Sequence, residues 1–257
     1  MAGRVRFELH RRLLAEYLRP GWRVLEVGAG PGRFTRVLAD LETTVVVSDI
    51  SPVQLRLNAD HLTGTPAEAA VEARVLLDVA DTARYSPGEF DAVVAYGGPL
   101  SYVFDGRAAD APTGLVPITR PGQPVLASVM SLLGTWRHVL PSVVTGADVF
   151  GEDVNDRVLA SGDLRVTGGA HACQMYRADQ VANLVDAAGA ELLTISASNW
   201  ASLDHPDTVA ALEADPDRWT RFLTHEAAVC REPGALDGGT HILFAARSPT
   251  PPSAGIG

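Results

Sequence analysis

The chain has 257 residues, of which 46% are hydrophobic and 20% charged, which leaves room for one large domain or two small ones. All 21 basic residues are arginine, so there is no lysine Schiff base to pyridoxal phosphate or a substrate carbonyl, no P-loop lysine and no protein-kinase lysine. With 31 acidic residues the formal net charge is -10, and no basic run appears; this balance argues against nucleic acid and suits a small or cationic ligand.

Taken in chain order, Val5, Leu9, Leu13 and Tyr17 recur at i, i+4, with Phe7, Leu14 and Leu18 beside them, which predicts an amphipathic helix over 4–18. The arginines of this stretch are not followed by the apolar segment or cleavage site of a signal peptide. Pro20-Gly21 ends the helix. Arg23–Val27 predicts a short buried strand, Gly28-Ala-Gly-Pro-Gly32 a glycine-rich turn, and Phe34, Val37 and Leu38 the apolar face of the next helix. Thr43–Ser48 is almost wholly β-branched, as in a strand covered on both faces. Ser51-Pro52 opens another helix as N-cap and first-turn proline.

Further strands are predicted over 74–77, 90–95, 124–129, 192–196 and 241–246, with a helix over 181–188 closed by Gly189. Strands alternating with helices imply an α/β fold: a Rossmann-like, seven-stranded, mostly parallel sheet with helices on both faces. Two stretches break the alternation, near 131–175 and 198–239, and read as insertions capping a single domain over 1–248. Residues 249–257 read as a disordered tail. No run of 18 apolar residues is present, so no membrane span is expected. The two cysteines, Cys173 and Cys230, are far apart and lack metal-ligand spacing, which fits a reducing cytoplasm. The richness in Ala, Gly, Arg and Pro fits the codon bias of a GC-rich bacterial genome.

A strand running into a glycine turn and then a helix is a general nucleotide-binding device. The dinucleotide form is G-x-G-x-x-G/A; here Gly28 and Gly30 fit, but Arg33 occupies the third position. A side chain of that size is expected to obstruct the close helix–strand contact. The third glycine falls instead at Gly32, giving E-x-G-x-G-x-G from Glu26. With this loop come SDIS at 48–51, LLDVAD at 76–81, FDAVVAYGG at 90–98 and TRPGQPVLASV at 119–129. In that order and spacing the chain resembles the class I S-adenosylmethionine-dependent methyltransferases, clearly over about 20–130. The match is looser over 176–196 and 238–248.

The resemblance implies S-adenosylmethionine as cofactor, a last strand running antiparallel, and roles for particular residues. Gly28 and Gly30 would let the methionine part lie against backbone. Glu26 would sit near the amino-acid end or brace the loop. Asp49 would accept from both ribose hydroxyls, an ionised carboxylate being acceptor-only. Ile50 would pack on the adenine face. Asp78, with Asp81 as competitor, would accept from the adenine amino group, and Val79 would add an apolar contact or a backbone N–H. Tyr96 and Gly97 would lie beside the sulfonium. The N-terminal helix would cover the cofactor, with Tyr17 or Arg12 reaching its carboxylate.

Methyl transfer from a sulfonium needs alignment, exclusion of water and removal of any acceptor proton, but no metal. The Asn-Pro-Pro-Tyr of DNA amino-methylating members, the Pro-Cys of cytosine C5 enzymes and the two lysines of ribose-methylating members are all missing. The remaining acceptor class is a small molecule of secondary metabolism, methylated on N or O. Gly97–Tyr102 and the 131–175 insertion would form its pocket. There His171 is the leading general base, since histidine titrates near neutral pH. Tyr102 and Tyr176 would bind the acceptor or the sulfonium, or else pack in the core; Trp136 and Trp219 read equally as core anchors. Two alternatives stand beside this: a cyclase that forms a small cyclic amino acid and methylthioadenosine, and a cofactor-binding protein without turnover. The long insertions are candidate dimer contacts.

Overall fold

The computed structural model describes residues 2–104, 107, 110–169 and 171–248; the expected tail lies outside them. Helix α1 (Ala2–Tyr17) buries the predicted Val5, Leu9 and Leu13 stripe. Strand β1 (Arg23–Val27), the glycine turn and α2 (Arg33–Asp40) follow, then β2 (Thr44–Asp49) and α3 (Pro52–Leu62). The Ser51 hydroxyl caps α3 by accepting from the Gln54 amide. β3 (Val71–Leu76), β4 (Ala92–Ala95), α4 (Asp110–Ile118) and β5 (Pro124–Ser131) complete the first part of the chain.

The segment after β5 is helical: α5 (Leu132–His138), α6 (Leu140–Phe150) and α7 (Asp153–Ser161). A two-residue strand, β6 (Met175–Tyr176), pairs in parallel with the end of β5. This eighth strand was not among the seven expected, because two residues carry no periodicity. Then come α8 (Ala178–Ala187), β7 (Glu191–Ala197), α9 (Pro206–Glu213), α10 (Pro216–Val229) and β8 (His241–Arg247).

The sheet runs β3-β2-β1-β4-β5-β8-β7. β1 pairs in parallel with both β2 and β4, while β8 is antiparallel to β5 and β7. The chain leaves β1 toward β2 and β3, then returns to β4 on the other side. Such a reversal opens a crevice at the carboxyl ends of the central strands, where open α/β sheets bind their ligands.

Two cores sandwich the sheet. One gathers Leu14, Leu38, Val47, Val94 and Leu126 under α1 and α2. The other gathers Leu25, Phe90, Val93, Leu115 and Val181 under α4 and α8. Alternate residues of β1 and β4 face opposite cores, so β4 is apolar throughout and β1 is apolar apart from Arg23 at its start and the buried Glu26. A third cluster, with Val5, Leu9, Val209 and Leu223, fastens α9 and α10 to α1. A fourth, with Leu132, Val158, Cys173 and Met175, seats the helices that follow β5.

Candidate functional site

The glycine turn is held from below by β2. Ala29 N–H donates to the Ser48 carbonyl at 3.0 Å, and Gly30 N–H to Asp49 Oδ2 at 2.9 Å. Asp49 Oδ1 accepts from Ser51 N–H at 2.9 Å. One buried carboxylate thus ties the loop to the start of α3, while each oxygen keeps lone-pair capacity for a ligand. Gly28 has φ +68°, and a Cβ there would lie 3.0 Å from Pro99, so both its backbone and its neighbour demand glycine.

Arg33 does not obstruct the turn. Its guanidinium swings outward over the Phe7 ring of α1, 4.1 Å from the centroid. The contact that a third glycine would allow falls at Gly32, whose neighbour is Asn58.

At the carboxyl ends of β1, β2 and β4 lies a cavity of about 440 Å³. It brings together Gly28, Asp49, Ile50, Asp78, Val79, Gly97 and Tyr102, which come from four separate stretches of sequence. Ile50 is 67% exposed, an apolar side chain left for a ligand face to cover. Asp78 Oδ1 accepts from Ala80 N–H at 2.9 Å, and Asp78 lines the cavity whereas Asp81 does not. Gly97 has φ +85° with open space where a Cβ would stand, and its N–H is held by Ser128 Oγ at 3.0 Å. This is a bare backbone wall facing the cavity.

Other expected site residues lie elsewhere. Glu26 is buried beneath the turn, not in the cavity, and accepts from the Thr35 hydroxyl at 2.6 Å. Burial raises its carboxyl to about 8, against the Thr35 bond and with the nearby Asp49 charge. Gly30 touches Asp49 rather than the cavity. Tyr96 does not stand beside the cavity: one step past β4 the alternation turns its ring to the opposite face, against His10 and Phe34 at 4.7 and 5.3 Å. Its hydroxyl is buried without a hydrogen-bond partner. Tyr176 is likewise a core residue, its hydroxyl unpartnered and pushed up to about 12 by burial. Tyr17 and Arg12 do not line the cavity. Arg107 also lines the cavity, with Nη1 3.7 Å from Asp78 Oδ2; it follows no strand, and nothing in its sequence spacing marks it.

A second cavity, of about 500 Å³, lies under α5, α6 and α7. His171 lines it, and the His171 ring meets Tyr102 edge-on at 6.1 Å between centroids. Tyr102 lines the first cavity, so this pair stands where the two cavities approach. Their meeting is built by backbone: Gln174 N–H donates to the Ser101 carbonyl at 2.7 Å, and Met130 N–H to Ser101 Oγ at 2.9 Å. Trp136 lines the second cavity, whereas Trp219 stacks on Phe222 beside the α1–α10 cluster, away from both.

The cavity's lining fits an adenosyl cofactor: two acceptor-only carboxylates for hydroxyls and an amine, an exposed isoleucine for a ring face, and a glycine wall. Residues 24–122 match a family described as "Methyltransferase domain". No curated protein matches the chain by sequence. Among solved structures the chain is similar to the [4+2]-cyclase SpnF (20% identity, 95% of this chain and 82% of that one, TM-score 0.61). It is also similar to an S-adenosylmethionine-dependent methyltransferase from Mesorhizobium loti (16%, 93% and 97%, TM-score 0.59). A third likeness is to the 1,6-didemethyltoxoflavin-N1-methyltransferase of Burkholderia thailandensis (16%, 95% and 78%, TM-score 0.57), solved with S-adenosylhomocysteine. Residues 24–122 thus match a methyltransferase-domain family, and the chain shares its overall fold with these solved structures.

Proposed function

We propose that this protein methylates N or O of a small molecule seated under α5–α7. The observation that carries this reading is the approach of the two cavities at Tyr102 and His171. The bound cofactor supplies an electrophilic methyl: the acceptor–carbon bond forms as the carbon–sulfur bond breaks, and the electron pair stays on sulfur. Asp49 and Asp78 hold the ribose and adenine ends, Ile50 and Val79 cover the ring, and Gly28 and Gly97 admit the chain beside backbone. Tyr102 stands between the two cavities, and the His171 imidazole takes the acceptor's proton. The buried, unpaired Cys173 and Cys230 support a reducing cytoplasm, and no helix among the described residues is long and apolar enough to span a membrane.

The test is incubation with methyl-labelled S-adenosylmethionine and a panel of small acceptors. Labelled acceptor with S-adenosylhomocysteine supports the proposal. Methylthioadenosine released without acceptor points to the cyclic amino acid reaction, and binding with no turnover to a non-catalytic binder. A cyclisation without methyl transfer is the second reading. The likeness to a protein named a [4+2]-cyclase favours it, and a substrate rearranged at constant S-adenosylmethionine would establish it.

A further inference from the structure

The two cavities differ in chemistry more than in size. The cofactor cavity is walled in part by Asp49, Asp78 and Arg107. Among the described residues, the wall of the chamber under α5–α7 has no Asp, Glu, Arg, Tyr or Cys, and His171 is its one ionisable lining residue. Most of the wall is apolar, with Met130, Trp136, Val143 and Phe150 among the larger side chains.

Part of its few polar groups is already spent. The Thr135 hydroxyl donates to the Thr240 carbonyl at 3.2 Å, and that of Thr167 donates to the Leu164 carbonyl at 2.9 Å while accepting from Gly169 N–H at 3.0 Å. Among the described residues, the side chains of Ser142, Asn155 and His171 and the unpartnered Trp136 indole N–H remain. A charge placed against this wall gives up part of its water for no counter-ion among the described lining residues, which is costly. An apolar surface placed there gains on burial.

We propose that the chamber selects an uncharged, predominantly apolar acceptor of drug-like size, with a few hydrogen-bonding atoms and its reactive N or O at the His171 end. This rests on the methyltransferase reading for the word acceptor, but the selectivity belongs to the chamber alone. Chambers of this volume suit drug-sized ligands.

Gly146 allows a test that leaves the cofactor cavity untouched. It lies within α6, lines the chamber, and has nothing within 4 Å of where a Cβ would stand. Gly146→Leu and Gly146→Phe therefore project into the chamber without backbone strain, and both residues favour helix over glycine. Fluorescence titration would use neutral 3-hydroxyflavone and a sulfonated flavonol as paired probes, on the full chain with and without S-adenosylhomocysteine.

The expected result is saturable 1:1 binding of the neutral probe and at least tenfold weaker binding of the sulfonate. Gly146→Leu should weaken the neutral probe, and Gly146→Phe should weaken it at least tenfold. The affinity for S-adenosylhomocysteine should stay within twofold in both variants, which also shows that they are folded. Sulfonate binding as tight as the neutral probe, no saturable binding of the neutral probe, or neutral binding unchanged by both variants would each overturn the proposal. If the neutral probe binds as expected and S-adenosylhomocysteine does not bind, the methyltransferase reading fails while the chamber's selectivity stands.

Discussion

Replacing Asp49 with Asn separates its two jobs. Each carboxylate oxygen takes one backbone N–H at 2.9 Å, Oδ2 from Gly30 and Oδ1 from Ser51. An amide of the same shape keeps one acceptor and turns the other position into a donor. Whichever way it lies, one backbone donor faces a donor, and an unmet buried donor costs about 1–3 kcal/mol. At roughly 2–4 °C per kcal/mol for a chain of this size, Tm should fall by roughly 2–12 °C. The ribose also loses a charged acceptor, worth about 1.5–3 kcal/mol, so S-adenosylhomocysteine should bind about tenfold to a hundredfold more weakly. Calorimetric titration of Asp49→Asn against wild type, with scanning calorimetry for Tm, measures both effects. Asp81→Asn, outside the cavity, is the control and should change neither. A folded Asp49→Asn that binds within twofold of wild type would refute the reasoning and leave Asp49 as a loop brace.

Glu226 is buried and accepts from the Trp200, Ala201 and Ser202 amides and the Ser202 hydroxyl, the shortest at 2.7 Å. Glu226→Ala should therefore cost about 3 kcal/mol of stability without changing S-adenosylhomocysteine affinity below the melting transition; an affinity loss in folded protein would contradict this purely structural role. Gly97→Val combines a β-branched residue at φ +85° with a side chain entering the cavity, so binding of S-adenosylhomocysteine should fall at least tenfold (on the order of 1.4 kcal/mol) in protein that still folds. Stability should peak between pH 6 and 7. Burial lowers His10 to about 4 and His241 to about 3 from 6.5; their folded values lie below the unfolded one, so the stability they contribute is full above about 6.5 and is lost as pH falls toward 4. Glu26, raised from 4.5 to about 8, acts in the opposite sense: its contribution is full below 4.5 and is lost as pH rises toward 8. Two protons against one leave a net rise up to about 6.5 and a fall beyond it. Urea titrations from pH 4 to 8 should show that maximum, and Glu26→Gln should flatten the alkaline side; a plateau from 6.5 to 8 in wild type would exclude the raised Glu26.

The central sheet was legible because strands covered on both faces carry near-continuous apolar runs. Val45-Val46-Val47 and Ala92–Ala95 announce themselves in this way. The edge strand β3 was harder to bound: its pattern is only half-buried, and the expected 74–77 begins three residues after the observed start at Val71. The strand at Met175 had no pattern at all, since its pairing with β5 is dictated by a chain returning from three helices. Arg33 misled because residue type reports volume, not direction; Phe7, 26 positions earlier, gave its guanidinium a surface to lie on.

The cofactor half of the site was readable for a further reason. A glycine forced by φ +68°, a carboxylate holding two loop amides and an acid at a strand end are each required by local backbone geometry, so they sit at fixed places relative to the strands. Tyr96 shows the limit of that rule: the strand end fixes where the chain is, while the parity of one residue decides which face a side chain takes, and here it went to His10 and Phe34. The acceptor half obeys no such rule. Val143, Phe150 and Met175 line a chamber, yet in sequence they look no different from residues that fill a core. Only packing decides whether an apolar wall meets another wall or a cavity. The same fact makes the acceptor side free to change, because enlarging or filling the chamber at α6 alters no hydrogen bond on which the glycine turn depends. A fold that keeps its cofactor geometry in backbone and its substrate geometry in apolar volume can exchange acceptors by substitutions as small as one at Gly146.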